Sequence, residues 1–291
     1  MNTAHCSLLK RLSALVLALA CVLTFAACSA SGDGKASATP SGNTPADSGA
    51  ANADLTTVTP GVLKVGMEVG YPPMEYLAED GVTITGFDYE VAGKIAEKLG
   101  LALEIVDTEW GAILTSLDSN RYDVVISSLS ITESRQANYN ITKAYIANNL
   151  VLVTTSGSGI ASTDDLAGKL VATQTETTAD DYMNELQDGG LALGDYFVYD
   201  KIIQCFDELK LGRVDAVMVD KVVALYYLQN YSELETVWES DVAEPLGMGL
   251  KKGNDALTAA IESAVDELYN DGTIAGIANK YFGSDITKNV R

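Results

Sequence analysis

An arginine, an aspartate and a glutamate stand among hydroxyl and aromatic residues where the chain's pattern would gather them. Glu68 and Tyr71 follow one short apolar run. Ser127, Ser128 and Ser130 follow another, with Arg135 just beyond; Gln174, Thr177 and Thr178 follow a third, and Asp220 ends a fourth. The planar two-pronged guanidinium of Arg135 suits a carboxylate. Asp220 and the serine hydroxyls suit an ammonium group. A desolvated zwitterion needs both at once, because a buried unpaired charge is costly. No nucleophile–base pair occurs in the set, so the chemistry it offers is capture rather than reaction. Each residue also has a plain reading: Arg135 on the surface, Asp220 as a helix N-cap, the serines as turn formers, Tyr71 and Trp110 as core aromatics. Only the combination points to a site.

The elements that must position these residues alternate in type. Strands are expected at Leu63–Met67, Leu103–Val106, Tyr122–Ile126, Leu170–Thr173 and Val214–Val219. Helices are expected at Asp88–Leu99 with Asp88 as N-cap, Ala112–Leu117, from about Ala179, near Phe206–Leu211, Val222–Leu228, Asp255–Tyr269 and Ile274–Tyr281. Such alternation argues for α/β sheets with parallel strands. In open α/β sheets a ligand lies outside the carboxyl ends of the strands, the edge to which the candidate residues are delivered.

Composition narrows the function classes. The 291 residues carry 19 Lys+Arg against 40 Asp+Glu, a formal net charge of −21, which argues against nucleic acid as a partner. Residues 1–27 read as an export signal: Lys10 and Arg11 flank an apolar run from Leu12 to Ala27, too short for a permanent span. Ala26-Ala27-Cys28 resembles a bacterial lipobox, with Phe25 where Leu is usual; Cys28 would then be diacylated and anchor the protein to the membrane. Cys21 is a second candidate, and an ordinary secretory signal is the alternative. Residues 28–60 are expected to form a flexible linker, because Ser29–Asp54 has almost nothing large and apolar. His5, the single histidine, lies in the leader, which removes Ser-His-Asp catalysis and histidine-containing zinc sites from the body. Cys205 alone remains after the leader and reads as a small core residue. Neither a cofactor nor a metal is expected.

The order and spacing of several pieces resemble the polar amino-acid-binding branch of the bacterial solute-binding proteins of ATP-driven importers. They are Tyr71-Pro-Pro-Met-Glu-Tyr76, Gly86-Phe-Asp88, Tyr122-Asp-Val through Arg135, Gly212-Arg-Val-Asp-Ala216 with Asp220, Asp271-Gly-Thr273, and Tyr281-Phe282-Gly283. The resemblance implies a two-lobe, periplasmic-binding-protein-like (type II) α/β fold with two hinge crossings. Lobe 1 would comprise residues 61–148 and 247–291, and lobe 2 residues 149–246. Arg135 would grip a ligand's α-carboxylate with the backbone amides at Ser130 and Thr178. Asp220 would pair with the α-ammonium beside the Ser128 carbonyl and the Ser130 hydroxyl. Tyr71 and Trp110 would flank the side chain, and Glu68 and Gln174 would face it, with Thr177 on the same loop. The implied protein is a monomer and not an enzyme, and its partners are a free amino acid and an importer's membrane subunits. Its ligand would be polar and, given Glu68, cationic; a neutral amide or cystine stays open. Two positions depart from the family: Glu176 stands where Gly is usual, and Ile141-Thr142 where Phe-Ser/Thr is common. The rival is a cyclohexadienyl-dehydratase-like enzyme on the same fold, which carries a further carboxylate where this chain has Ala179.

Overall fold

A computed structural model describes residues 55–288 and residue 290. The expected signal, both anchor candidates (Cys28 and Cys21) and the linker up to residue 54 lie outside the described residues.

Strand β1 (Val62–Met67) leads to a small antiparallel ribbon, β2 (Tyr76–Leu77) with β3 (Ile84–Thr85), then α1 (Phe87–Lys98) and β4 (Ala102–Asp107). A 3₁₀ turn at Trp110–Ala112 runs into α2 (Ile113–Asp118), followed by β5 (Val124–Ser130), α3 (Glu133–Asn138) and β6 (Tyr139–Ile141). Then come β7 (Asn149–Thr155), β8 (Leu170–Gln174), α4 (Thr178–Asp188), β9 (Asp195–Tyr199), α5 (Ile202–Lys210) and β10 (Ala216–Asp220). Helix α6 (Lys221–Asn230), β11 (Leu234–Ala243), β12 (Leu246–Lys251), α7 (Asp255–Asn270) and α8 (Thr273–Phe282) complete the chain.

The strands form two five-stranded sheets, in the orders β4-β1-β5-β12-β6 and β11-β7-β10-β8-β9. The fold is the two-lobe type II arrangement, and the chain crosses between the sheets after β6 and again before β12. Parallel pairing holds for β1 with β4 and β5, and for β8 with β9 and β10. The sheets are nevertheless mixed, which corrects the parallel-strand expectation. Strand β12 runs antiparallel to β5 and β6, and β7 runs antiparallel to β10 and β11.

All seven residues of β5 are buried, as a strand covered on both faces requires. Helices α1, α7 and α8 pack together over the first sheet, with Val91, Ile95, Ile261, Leu268 and Ile274 in the core. Cys205 is buried in α5, and burial pushes its thiol up to about 12.

Two boundaries fall elsewhere than the sequence suggests, and both bear on the site. Asp88 is not the N-cap of α1; that position is Gly86, and Asp88 is fully buried inside the first turn. Gly86 has φ 131°, and a Cβ there would lie 2.2 Å from the Met74 carbonyl oxygen, so only glycine lets the helix start so close to that turn. Strand β5 does not stop at Ile126 but runs on through Ser130. Its pairing with β12 is irregular: Gly247 faces Leu129 and Gly249 faces Val125, so Ile126, Ser127 and Ser128 stand opposite Met248 alone. Ser128 takes up the excess in the left-handed region, at φ 47°.

Candidate functional site

All the side chains singled out in the sequence border one cavity between the two sheets. They are Glu68, Tyr71, Trp110, Ser127, Ser128, Ser130, Arg135, Gln174, Thr177, Thr178 and Asp220.

Strand ends deliver most of the set. Glu68 follows the last residue of β1, Gln174 is the last of β8, and Asp220 is the last of β10. Trp110 opens the 3₁₀ turn after β4, and Arg135 sits on α3 behind the N-cap Thr132, whose hydroxyl accepts from the Arg135 amide at 3.2 Å. Thr177 caps α4: its hydroxyl accepts from the Asp180 amide at 3.2 Å and donates to the Gln174 carbonyl at 2.8 Å. The Ser130 and Thr178 hydroxyls meet across the lobes at 3.4 Å.

One end of the cavity holds the opposite charges. Arg135 donates from Nη1 to the Ser130 carbonyl at 2.9 Å, and its guanidinium lies 5.5 Å from the Trp110 ring centre. One face of Trp110 is therefore already taken by Arg135. Burial lowers the arginine's pKa, and the surrounding carboxylates Asp220, Asp181 and Glu244 raise it again. Asp220 occupies the N-cap position of α6 but caps nothing with its side chain. Its oxygens instead accept from the Tyr71 hydroxyl at 2.5 Å and from Asn148 Nδ2 at 2.6 Å. Burial pushes Asp220 upward, while Tyr71, Asn148 and Arg135 pull it down.

At the other end, the Glu68 carboxylate accepts from Gln174 Nε2 at 3.0 and 2.8 Å. Burial pushes Glu68 up to about 7, against the pull of Gln174 and Lys201. Gln174 also donates to the Asp200 carbonyl at 3.0 Å, and its own Oε1 is buried without a partner. An unpaired buried acceptor calls for a donor from whatever fills the space.

Contacts over the mouth join the lobes. Trp110 Nε1 donates to the Glu176 carbonyl at 3.0 Å, and Lys201 pairs with Glu109 at 3.2 Å. Glu176 has φ 57°, so the loop follows the left-handed path a glycine would take although the residue is not one.

Sequence reasoning missed Asn148 and Glu244. Both lie on the segments that cross between the lobes, where neither periodicity nor a strand end marks a residue. The Glu244 amide donates to the Asn148 carbonyl at 2.9 Å, tying the two crossings together. Among the described residues, no cluster of His, Cys, Asp or Glu is arranged to hold a metal ion, and no helix is long and apolar enough to cross a membrane.

Residues 63–284 match the profile of the bacterial extracellular solute-binding proteins, family 3. The L-cystine-binding protein TcyJ of Escherichia coli (strain K12) is 33% identical over 231 residues, 78% of this chain and 85% of that protein. The solved structure of an ancestral arginine-binding protein bound to arginine matches with TM-score 0.72 and 34% identity, over 77% of this chain and 99% of that one. An ancestral amino acid-binding protein, a precursor of cyclohexadienyl dehydratase, matches with TM-score 0.71 and 28% identity, over 76% of this chain and 96% of that one.

Proposed function

The chain belongs to the bacterial extracellular solute-binding proteins, family 3, and from that premise we propose that it is the amino-acid receptor of an ABC importer. In this reading it works outside the cytoplasm as a monomer, held at the membrane by a lipid on Cys28. Lobe 1 (residues 61–148 and 247–291) and lobe 2 (149–246) close on one free amino acid, which is then passed to the importer's membrane subunits without catalysis. One observation carries the reading: Arg135 and Asp220, of opposite charge, border the same cavity from different lobes. That pairing of opposite charges in one cavity suits an α-carboxylate and an α-ammonium on one small molecule.

The ligand's side chain is cationic in this reading. Glu68 and the orphaned Gln174 oxygen offer acceptors at the far end, with Asp107 and Glu109 adding negative field. Asp181 and Glu244 do the same around Arg135. Acidic groups outnumber Arg135 and Lys201 there, so a ligand with a net positive charge is favoured and glutamate is repelled. The relatives' names include both L-cystine and arginine. The test is a thermal-shift screen of the twenty amino acids, ornithine and cystine. Arginine, lysine or ornithine should raise the melting temperature most, because a ligand bound by the native state alone stabilises it by mass action. Preference for glutamine or cystine would remove the cationic assignment, and no response to any of them would remove the function. For the anchor, Cys28→Ala should move the protein from the membrane pellet to the soluble fraction; a lipid-labelled, pelleted variant would contradict it.

A second reading, a cyclohexadienyl-dehydratase-like enzyme, draws its support from Glu68. A buried carboxyl near 7 is suited to moving a proton at neutral pH. Ala179, buried in α4, leaves that branch's further carboxylate missing. Turnover of a cyclohexadienyl substrate by the pure protein would favour the enzyme.

A further inference from the structure

Behind the cavity, and not lining it, two carboxyl groups share a closed space. Glu75 and Asp88 are both completely buried, they grip the consecutive β5 residues Ser127 and Ser128, and the charge of Asp88 acts on Glu75. Backbone bonds fix the approach: Phe87 donates to the Pro73 carbonyl at 2.9 Å and Asp88 to that of Met74 at 2.8 Å. Asp88 is surrounded by donors. The Tyr145 hydroxyl lies 2.7 and 2.8 Å from its two oxygens, and the Ser128 amide donates at 2.8 Å. Glu75 is not so placed: Oε1 accepts from the Ser127 hydroxyl at 2.5 Å, and Oε2 is buried with no partner. Two ionised carboxylates cannot sit side by side in such a space, so one of them carries a proton. Donor placement decides which. Asp88 has the environment of an anion, and the orphaned Glu75 oxygen is the one that lacks a role until it becomes a donor.

We propose that Glu75 is held as the neutral acid, donating its proton to the Asp88 carboxylate, and that this pair is the positioning element of the ligand site. It acts through β5. Asp88 holds the Ser128 amide at the strained φ 47° turn of the strand, and Glu75 holds the Ser127 hydroxyl, which accepts from the Glu68 amide at 3.1 Å. The groups facing the pair are Glu68, Tyr71, Tyr145, Ser127 and Ser128, all acidic or hydroxylic. Burial and then the charge of Asp88 push Glu75 well above the ordinary carboxylate range, in keeping with that assignment. A neutral Glu75 also spares Glu68 a further negative neighbour beyond Asp107 and Glu109. The inference rests on the cavity being the amino-acid site, but its protonation half stands apart from that.

Glutamine is an isostere of a neutral glutamic acid, whereas asparagine is a poor stand-in for a carboxylate that accepts from several donors. Glu75→Gln should therefore fold and keep its affinity for arginine (or for glutamine, if wild type binds that instead) within about threefold, while Asp88→Asn should weaken it about tenfold or more. Infrared difference spectra of wild type against Glu75→Gln, without ligand, should show a protonated carboxyl band in wild type that persists to about pH 8. Absence of that band, a misfolded Glu75→Gln, or equal losses in the two variants would overturn the proposal. If wild type binds no amino acid, the functional reading fails while the infrared result still decides the protonation state.

Discussion

Glu68 has exchanged water for a single amide partner, and burial holds its carboxyl near 7. This makes capture of a cation depend on pH in a definite direction. A cationic side chain binds the ionised form, so affinity is full above 7 and falls as Glu68 takes up a proton below it. Affinity for arginine should be about tenfold weaker at about pH 6 than at about pH 8, and Glu68→Gln should abolish the dependence. Titrations at the two pH values check this; a flat wild-type profile would show that Glu68 does not face the ligand's charge. At this scale much was legible in the sequence. Charged and hydroxylic residues at the ends of apolar runs identify Arg135, Asp220 and Glu68 as neighbours. Asn148 was not legible, because an amide on an irregular crossing segment has no pattern around it. Asp88 misled for a related reason: an aspartate before a helical stripe is usually a cap, and here the close turn at Met74 carries it into the interior.

Among the elements, those with a clean period were legible: α1, α7, β1 and β10 fall within two residues of their expected bounds at both ends. Strand β5 ran past its expected end because Ser127-Ser-Leu-Ser130 has the composition of a turn, while buried carboxylates and a left-handed serine keep it in the sheet. Strands β2, β3, β6, β7, β9, β11 and β12 were missed. Strand β11 is an edge strand with many exposed polar residues and two register shifts, so no alternation reveals it. Strand β12 alternates glycine with apolar residues, and its place beside β5 is set by the chain's return from the second lobe. Strands β7 and β12 make the sheets mixed, and their pairing is a tertiary fact. The loop before α4 is a milder case: Glu176 keeps a glycine's backbone path, and its carbonyl gains the Trp110 bond.

Taken whole, the molecule is two sheets that each bring part of the proposed charge clamp to a shared cavity. The first contributes Arg135, Glu68 and Tyr71, and the second Asp220, Gln174 and Thr178. In the proposed function neither lobe would hold a zwitterion alone, so ligand affinity and lobe closure would be linked. Tyr71 and Asn148 already satisfy Asp220, and the Ser130 carbonyl already engages Arg135, so the clamp is preorganised. In the proposed function Arg135 receives the carboxylate common to all amino acids. Calorimetric titration of Arg135→Ala, with the best wild-type ligand from the amino-acid screen, tests it most directly. Losing the partner of a buried charge costs about 2–5 kcal/mol, so affinity should fall by roughly 30-fold to several thousand-fold with the fold intact. Affinity within about threefold of wild type would mean that Arg135 does not hold the ligand, and the clamp would be contradicted.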